Sequence, residues 1–277
     1  MSIAYYNGKI SSPKNIEVPL TDRCVFFGDG VYDAAIGRGG KIYLLEEHTE
    51  RLLRGAKALG IPCPYSKEEL ETLLLSLAKG SGEDVYTVYF QLSRNKDSRL
   101  HSARNIDGAN LLITVTECRT PNPYERISLV SYPDKRYLYC NVKTLNLLPS
   151  VLASTYADER GCDEAVFIRN GVVTECAHSN ISIIRDGVLF THPECERILS
   201  GITRRHLIDT ARKMGIEVRE EAFTKADLYA ANEVIVTSST KLSRLAEAVD
   251  GIKYERHTDS LGLALSKALF NSFVENV

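Results

Sequence analysis

Two short segments of the chain have the chemistry to bind an anion. Gly201-Ile202-Thr203 stands at the start of a predicted helix. The first backbone N–H groups of a helix have no partner within it, and the helix dipole favours negative charge there. Ser238-Ser239-Thr240 follows a predicted strand and offers three hydroxyl groups in succession. Many helix starts and polar turns bind nothing, so neither segment by itself identifies an anion site.

A cationic pair lies in a predicted loop of the first half. Arg99 and His101 are two residues apart, and a guanidinium and an imidazole with this spacing on an extended loop can converge on one anion. Upstream, Gly28 and Gly30 flank Asp29, and two glycines within three residues indicate a close approach of the backbone. The first half therefore contains a candidate anion-binding loop and a tight turn.

Four further residues are unremarkable by position alone. Lys143 follows a strand predicted over residues 137–142, and Glu175 closes a predicted hairpin strand. Arg51 lies on a predicted helix, and Tyr32 follows the glycine pair. Lysine, glutamate and arginine at such positions are usually solvated charges, and a tyrosine is commonly part of a core. Composition and periodicity do not select any of the four.

The first half of the chain mixes predicted helices and strands. Helices are predicted where apolar residues recur at helical spacing, and strands where β-branched and aromatic residues are frequent. Ser66 and Glu69 form a capping box at the start of the second helix. The predicted elements are helices over 46–59 and 66–78, and strands over 4–10 (with a turn at Asn7-Gly8), 85–92 and 111–116.

The second half has the same mixture. Asn170-Gly171 and Asp186-Gly187 predict two-residue hairpin turns. Gly161 and Gly215 are predicted to end helices, since glycine is favoured just past a helix C-terminus. The predicted elements are helices over 151–159, 203–214 and 260–274, and strands over 137–142, 164–169, 172–175, 180–185, 188–191 and 233–237.

The best candidate for a linker is Arg119-Thr120-Pro121-Asn122-Pro123, because two prolines around an asparagine cannot continue a helix or a central strand. A chain of 277 residues is long enough for two domains. We therefore predict an α+β protein with an N-terminal domain over residues 1–119 and a C-terminal domain over residues 120–277.

Composition narrows the possible classes of function. A net charge of -2 gives no basic field for nucleic acid or an anionic membrane surface. The seven cysteines show no CxxC pair and no metal-ligand spacing, so no metal site is expected, and their odd number favours a reducing cytoplasm. We expect no signal peptide and no membrane span, since no apolar stretch is long enough.

Four segments in a fixed order carry a resemblance to a known family, and the resemblance covers nearly the whole chain. Together they resemble the fold-type IV pyridoxal-phosphate (PLP) enzymes, which include D-amino acid transaminases, branched-chain aminotransferases and 4-amino-4-deoxychorismate lyases. The resemblance implies a two-domain α+β fold, with an N-terminal α/β sandwich and a C-terminal α/β barrel-like domain. The four segments are Phe27-Gly28-Asp29-Gly30-Val31-Tyr32, Lys143-Thr144-Leu145-Asn146, Thr174-Glu175-Cys176-Ala177-His178-Ser179-Asn180 and Gly201-Ile202-Thr203-Arg204.

The resemblance implies PLP as the cofactor and assigns residues to it. Lys143 matches the catalytic lysine that holds the cofactor as a Schiff base and moves a proton. Glu175 matches the carboxylate that faces the pyridine nitrogen and keeps the ring protonated. The residues that match the family's phosphate contacts are Arg51, Ile202, Thr203 and Ser239.

The loop Arg99-Leu100-His101 most resembles the D-amino acid transaminases. In that subfamily such an Arg-x-His pair binds the substrate α-carboxylate, together with the tyrosine that matches Tyr32. The implied reaction converts D-alanine and 2-oxoglutarate to pyruvate and D-glutamate. The family is usually dimeric, with this loop reaching the partner's site, so a homodimer is expected.

Several alternatives stay open at this point. A branched-chain L-amino acid aminotransferase is the nearest rival, and an aminodeoxychorismate lyase is the third possibility on the same fold. From a different class, the chain could be a PLP-binding protein with little turnover. His178 stands where D-specific relatives have a small residue, and the loop after His101 lacks a proline of the family. These departures leave the substrate range open, and His178 could lie beside the cofactor, contact substrate or pack behind the site.

Overall fold

The computed structural model describes residues 2–95, 99–104 and 106–277 of the chain. These residues form two compact units of mixed helices and strands, as the predicted α+β class requires. The first unit comprises Met1–Thr120, Val142–Asn146 and Asn276–Val277. The second comprises Pro121–Asn141 and Leu147–Glu275. The division at Thr120 and Pro121 falls within the predicted linker, but the short segment around Lys143 belongs to the first unit.

The first unit is built on an antiparallel sheet of six strands in the described part of the chain, in the order β2-β1-β6-β5-β3-β4. Asn7 and Gly8 join the first two strands with positive φ angles of 45° and 94°, so the predicted turn is confirmed. The strands are β1 (Ile3–Tyr6), β2 (Lys9–Ser11), β3 (Gly30–Arg38), β4 (Lys41–Ile42), β5 (Val85–Arg94) and β6 (Ala109–Glu117).

Helices pack their apolar sides on this sheet. The capping box is confirmed, because the Glu69 N–H donates to Ser66 Oγ (3.1 Å) and the Ser66 N–H donates to Glu69 Oε2 (2.8 Å). Buried leucines such as Leu52, Leu70 and Leu74 join the sheet core, and each contributes about 1.5–3 kcal/mol to folding. The helices are a 3-10 turn (Pro13–Asn15), α1 (Arg23–Phe27), α2 (Leu45–Ala58) and α3 (Lys67–Ser81).

The second unit contains a sheet of nine strands within the described residues, curled into a half-barrel. Its order is β12-β11-β10-β13-β14-β7-β8-β9, with β15 paired to β14. Both predicted hairpin turns are confirmed: their Asn, Asp and Gly residues all have positive φ. The strands are β7 (Arg126–Pro133), β8 (Glu164–Arg169), β9 (Val172–Cys176), β10 (Asn180–Arg185), β11 (Val188–Thr191), β12 (Val218–Arg219), β13 (Glu233–Ser238), β14 (Leu242–Val249) and β15 (Ile252–Lys253).

Four helices accompany this sheet in the described ranges. The predicted helix over 151–159 begins earlier, at Leu148, because Pro149 is compatible with the first turn of a helix. The helix predicted over 203–214 is confirmed to within one residue at each end. None of the helices in the described ranges is long and apolar enough to cross a membrane. The helices are α4 (Leu148–Asp158), α5 (Ile202–Lys213), α6 (Lys225–Tyr229) and α7 (Leu261–Asn276).

The strand predicted over residues 137–142 is wrong. This stretch is irregular, and the side chains of Tyr137, Leu138 and Tyr139 are 45%, 51% and 59% exposed. The run of aromatic and apolar residues has strand propensity, but that propensity expresses a fit to a partner strand rather than a backbone preference. Lys143 therefore lies on an irregular segment and not at a strand end.

Candidate active site

Lys143 is held against the start of β3 by backbone pairing. The Tyr32 N–H donates to the Lys143 carbonyl (2.9 Å), and Val31 and Thr144 form an isolated antiparallel bridge. A Cβ at Gly30 would lie 2.6 Å from the Leu92 carbonyl oxygen, so only glycine allows this close approach. The same Cβ would lie 2.7 Å from Leu145 Cδ1, two residues after Lys143, so glycine at this position also allows the lysine segment to pack on β3.

The amine of Lys143 lies over an aromatic ring. Its Nζ is 4.4 Å from the centroid of the Tyr32 ring, within the range of a cation–π interaction. Tyr89 stacks on Tyr32 with 5.4 Å between ring centroids, and its hydroxyl donates to Gln91 Oε1 (2.7 Å). Burial raises the pKa of Tyr89 above its ordinary value, and the neighbouring Tyr32 adds to the effect. The structure thus brings together Lys143 and Tyr32, and adds Tyr89, which was not predicted as a site residue.

Arg51 forms a buried ion pair with Asp33. Its Nε donates to Asp33 Oδ2 (2.8 Å) and its Nη2 donates to Oδ1 (2.9 Å), while His48 Nδ1 lies 2.7 Å from Oδ1. Burial by itself would raise the pKa of Asp33, but the Arg51 cation and His48 bring it well below its ordinary value. Burial lowers the pKa of His48. Asp33 and His48 are thus positioned to orient Arg51, and sequence reasoning missed both because the contacts cross from a strand to a helix.

Replacing Asp33 with asparagine is expected to destabilise the protein by about 3–5 kcal/mol at pH 7, since it breaks a buried ion pair. The folded pKa of Asp33 is lowered, so its stabilisation is present above roughly pH 4, the ordinary value for the unfolded chain. It is lost as the pH falls further. Urea unfolding, followed by circular dichroism at several pH values, should therefore show that the difference in the free energy of unfolding between the parent and Asp33→Asn becomes smaller in acid.

The matched control is Asp84→Asn, because the Asp84 side chain is 74% exposed in its pair with Arg38. An exposed pair contributes at most about 1 kcal/mol. Equal losses of stability in the two variants would show that the Asp33 pair is no more important than a surface pair.

Arg99 and His101 are brought together around the ring of Phe27. The His101 and Phe27 rings are 5.4 Å apart, and Arg99 Cζ lies 5.8 Å from the Phe27 centroid. Both side chains are exposed. The predicted loop therefore presents a guanidinium and an imidazole beside one aromatic ring, and such a pair can donate hydrogen bonds to a carboxylate.

In the second unit, Glu175 is surrounded by donors. Arg136 Nη1 donates to its Oε1, while Asn180 Nδ2 and the Leu199 N–H each donate to Oε2 at 3.0 Å. Only 8% of the Glu175 side chain is exposed. These donors stabilise the negative charge of the carboxylate and fix its orientation.

Arg136 is itself held in a network of charged and polar groups. Asp134 Oδ1 accepts from its Nε (3.0 Å) and Oδ2 from its Nη2 (3.0 Å). Burial opposes the charge on Arg136, but Asp134 and Glu175 raise its pKa above the ordinary value. No pattern near Arg136 pointed to this role, because its contact with Glu175 joins residues that are 39 positions apart in the chain.

The start of α5 adjoins Glu175 through Asn180. Gly201 is the N-cap and provides no side-chain cap, and Ile202 and Thr203 are buried in the first turn. A Cβ at Gly201 would lie 1.8 Å from Asn180 Oδ1, so the helix start packs directly on the residue that orients Glu175. The second unit therefore places a charged carboxylate and a helix N-terminus in one neighbourhood.

The hydroxyl-rich turn connects β13 to β14, and β13 pairs with β10, the strand that begins at Asn180. Ser239 is half-buried in the turn between β13 and β14. Thr237 pairs in register with Asn180, and its Oγ1 is buried without a hydrogen-bond partner among the described residues. A buried hydroxyl of this kind calls for a ligand or water to satisfy it. The turn that contains Ser239 thus belongs with Asn180 and the start of α5.

These residues fit the requirements of PLP. The second unit supplies a carboxylate for a protonated ring nitrogen and a helix start with hydroxyl groups for a phosphate. The first unit supplies a lysine amine over an aromatic ring and an oriented arginine. Across the described part of the chain, no three His, Cys, Asp or Glu side chains are grouped as a metal site.

His178 lies on the turn between β9 and β10 and is 57% exposed. Its Nδ1 is 3.2 Å from Glu164 Oε1, and its backbone N–H donates to the same oxygen (2.8 Å). Glu164 is fully buried and also accepts from the Ser179 hydroxyl (2.9 Å). Within the second unit, His178 is thus tied to Glu164, which packs under this turn.

Comparison with known proteins identifies the family to which this fold and these residues belong. Residues 30–246 match the model of the amino-transferase class IV family. The chain belongs to this family, and the protein is an aminotransferase. The resemblance seen in the four sequence segments is therefore confirmed.

Relatives of known name share about a third of the sequence. The D-alanine aminotransferase of Listeria innocua is 35% identical over 276 residues, which cover 98% of this chain and 94% of the relative. The D-alanine aminotransferase of Staphylococcus aureus is 36% identical over 244 residues, which cover 87% and 86% of the two chains.

Solved structures confirm the fold. A branched-chain aminotransferase from Thermoproteus uzoniensis superposes with a TM-score of 0.90 at 24% identity, covering 99% of this chain and 97% of that one. The Escherichia coli branched-chain amino acid aminotransferase gives a TM-score of 0.88 at 22% identity, covering 98% and 94%. The expected architecture of the fold-type IV enzymes is thus confirmed.

Proposed function

We propose that this aminotransferase uses PLP to transfer amino groups between D-amino acids and 2-oxo acids, of the type D-alanine and 2-oxoglutarate to pyruvate and D-glutamate. The observation that carries the proposal is the pairing of Arg99 and His101 around Phe27, which presents two carboxylate-binding groups from one loop. The relatives named D-alanine aminotransferase support the same substrate class.

The cofactor would be held by the residues that match the family's cofactor contacts. Lys143 would attach it covalently, and Glu175, oriented by Arg136 and Asn180, would face the ring nitrogen. The groups for the phosphate are Arg51, the backbone N–H groups of Ile202 and Thr203, and the hydroxyl of Ser239. When bound, PLP supplies an electron sink for the charge that develops at the substrate Cα.

The protein's own part in the chemistry is proton movement and orientation. Lys143 Nζ takes the proton from the substrate Cα as general base, and as general acid it returns a proton to Cα of the product amino acid. Arg99, His101 and Tyr32 orient the substrate carboxylate, and this orientation decides which face of Cα meets the lysine. The Tyr32 ring under Lys143 Nζ keeps the amine in place.

We further propose that the protein is a homodimer in a reducing cytoplasm. One side of α4 presents Leu148, Val151 and Leu152, which are 68%, 56% and 53% exposed, and such an apolar patch is typical of a protein interface. All seven cysteines are free thiols, which is consistent with a reducing compartment. Sedimentation velocity of the purified protein would measure the oligomeric state.

The stereochemistry of the half-reaction tests the proposed function. With D-alanine alone, and no 2-oxo acid present, the visible absorption band of the PLP form should disappear as the amino group moves to the cofactor. L-alanine and L-leucine should leave the band unchanged. The measurement is an absorption titration of the PLP-loaded protein with each amino acid in turn.

Other outcomes of this titration would assign the protein to one of the alternative functions. A response to L-leucine and not to D-alanine would assign the protein to the branched-chain enzymes. A response to neither, with pyruvate released from aminodeoxychorismate, would assign it to the lyases. If no band develops after PLP is supplied, the cofactor itself is wrongly assigned.

A further inference from the structure

Arg23, the first residue of α1, is a buried arginine with an unusual set of acceptors. Its side chain is 3% exposed, and its Nε donates to Asp29 Oδ2 at 2.7 Å. The ion pair neutralises its charge within the first unit. A buried arginine needs acceptors for its remaining N–H groups, since unpaired polar groups are costly to bury.

Those acceptors are backbone carbonyls of the loop that contains Arg99 and His101. Arg23 Nη1 donates to the Leu100 carbonyl (2.6 Å), and Nη2 donates to the His101 carbonyl (3.3 Å). The two bonded carbonyls belong to the residues that directly follow Arg99. The rigid fork of a guanidinium can fix two successive carbonyls at once, which the single ammonium of a lysine does less well.

Phe27 adds a second attachment from the same short helix. Arg23 Cζ lies 4.6 Å from the Phe27 centroid, on a ring that also contacts Arg99 and His101. The loop is thus bound through its backbone by Arg23 and through its side chains by Phe27. Both residues belong to α1, whose N-cap Asp22 is fully buried and accepts from Tyr6, Ser93 and Asn110.

Arg94 offers a natural comparison. It is also buried, and its Nε donates to the same Asp29 Oδ2, at 3.0 Å. Its other N–H groups, however, donate to the carbonyls of Gly60 (2.7 Å) and Leu59 (2.8 Å), at the end of α2. The two arginines therefore share one carboxylate, but of the two only Arg23 donates to carbonyls in the described part of the loop.

We propose that Arg23 is a positioning residue for the substrate carboxylate: through the Leu100 and His101 carbonyls it holds Arg99 and His101 in the orientation that selects D-amino acids. This inference rests on the proposed function, in which these two side chains bind that carboxylate. Because its guanidinium donates to Asp29 and to the two loop carbonyls, Arg23 would act through the loop, on affinity and on the preference for one enantiomer. A misplacement of about 1 Å in a positioning group is enough to lower activity by roughly 10²-fold.

The test compares Arg23→Lys with Arg94→Lys in the PLP-loaded enzyme. Both variants keep a cation beside Asp29, and both shorten the reach to backbone carbonyls. In Arg23→Lys, the KM for D-alanine should rise by roughly 10-fold to 10²-fold, with a much smaller change in kcat and a lower ratio of D-alanine to L-alanine turnover. In Arg94→Lys, KM and this ratio should stay at the parent values.

Hydrogen exchange gives a readout that does not depend on activity. Backbone amides of residues 99–104 should exchange faster in Arg23→Lys than in the parent, while Arg94→Lys should leave them unchanged. Phe27→Leu removes the ring contact and keeps Arg23, so it should shift KM and exchange in the same direction. That variant carries the test if Arg23→Lys does not fold.

The outcomes separate this inference from the proposed function. If the parent transaminates D-alanine and both Arg23→Lys and Phe27→Leu keep its KM and loop exchange, the positioning role is wrong. A rise in KM of the same size in Arg94→Lys would also overturn it, because the effect would then reflect general destabilisation. If the parent does not react with D-alanine, the proposed function is wrong, and the inference fails with it.

Discussion

Replacing Lys143 with alanine should lower kcat for transamination by roughly 10²–10⁴-fold from the loss of proton transfer alone. The loss of covalent attachment should add to this effect, because the lysine amine is also the proposed point of cofactor binding. The visible band of the PLP-loaded protein should disappear or change in the variant. Single-turnover absorption measurements with D-alanine would record both effects.

Two controls make the Lys143 result specific. Lys135→Ala removes an exposed lysine in the same stretch of chain and should leave turnover unchanged. A small primary amine added to Lys143→Ala should restore part of the proton transfer, since it can occupy the space of the missing side chain. Full activity in Lys143→Ala would show that another residue binds the cofactor.

Replacing Glu175 with glutamine should lower kcat by about 10²–10³-fold, the usual effect of removing one preorganised electrostatic partner. The amide keeps the size of the side chain but loses the negative charge that would keep the cofactor ring protonated. Arg136 keeps its bonds to Asp134, so the network that orients the site should remain folded. The measurement is kcat with D-alanine and 2-oxoglutarate, together with PLP affinity.

Glu164→Gln is the matched control for this prediction. Glu164 is likewise buried in the nine-stranded sheet, but it is bonded to His178 and Ser179 rather than to the Glu175 network. That variant should be less stable than the parent and yet retain kcat. If Glu175→Gln and Glu164→Gln lower kcat equally, the loss of activity in Glu175→Gln comes from a disturbed structure and not from the lost charge.

Much of the local structure was predictable because its causes lie within a few residues. The capping box of Ser66 and Glu69 and the Asn-Gly and Asp-Gly turns depend only on near neighbours. The failure over residues 137–142 has the opposite cause, since a strand depends on a partner strand that no local pattern reveals. The four family segments likewise pointed to Lys143 and Glu175, but they gave no sign of what orients either residue.

The orienting contacts join distant parts of the chain. Arg51 and Asp33 are separated by 18 residues, Arg136 and Glu175 by 39, and Arg23 and His101 by 78. Each is an ion pair or a hydrogen bond made by at least one buried side chain, and burial is a property of the packed fold rather than of a segment.

By itself, the sequence determined the longer helices, the hairpin turns, the family and the residues that match the family's site, but not the short helices α1 and α6. Only the tertiary structure decided which side chains hold these site residues in place, because a buried charge needs a partner and the fold decides which residues are near enough to be that partner.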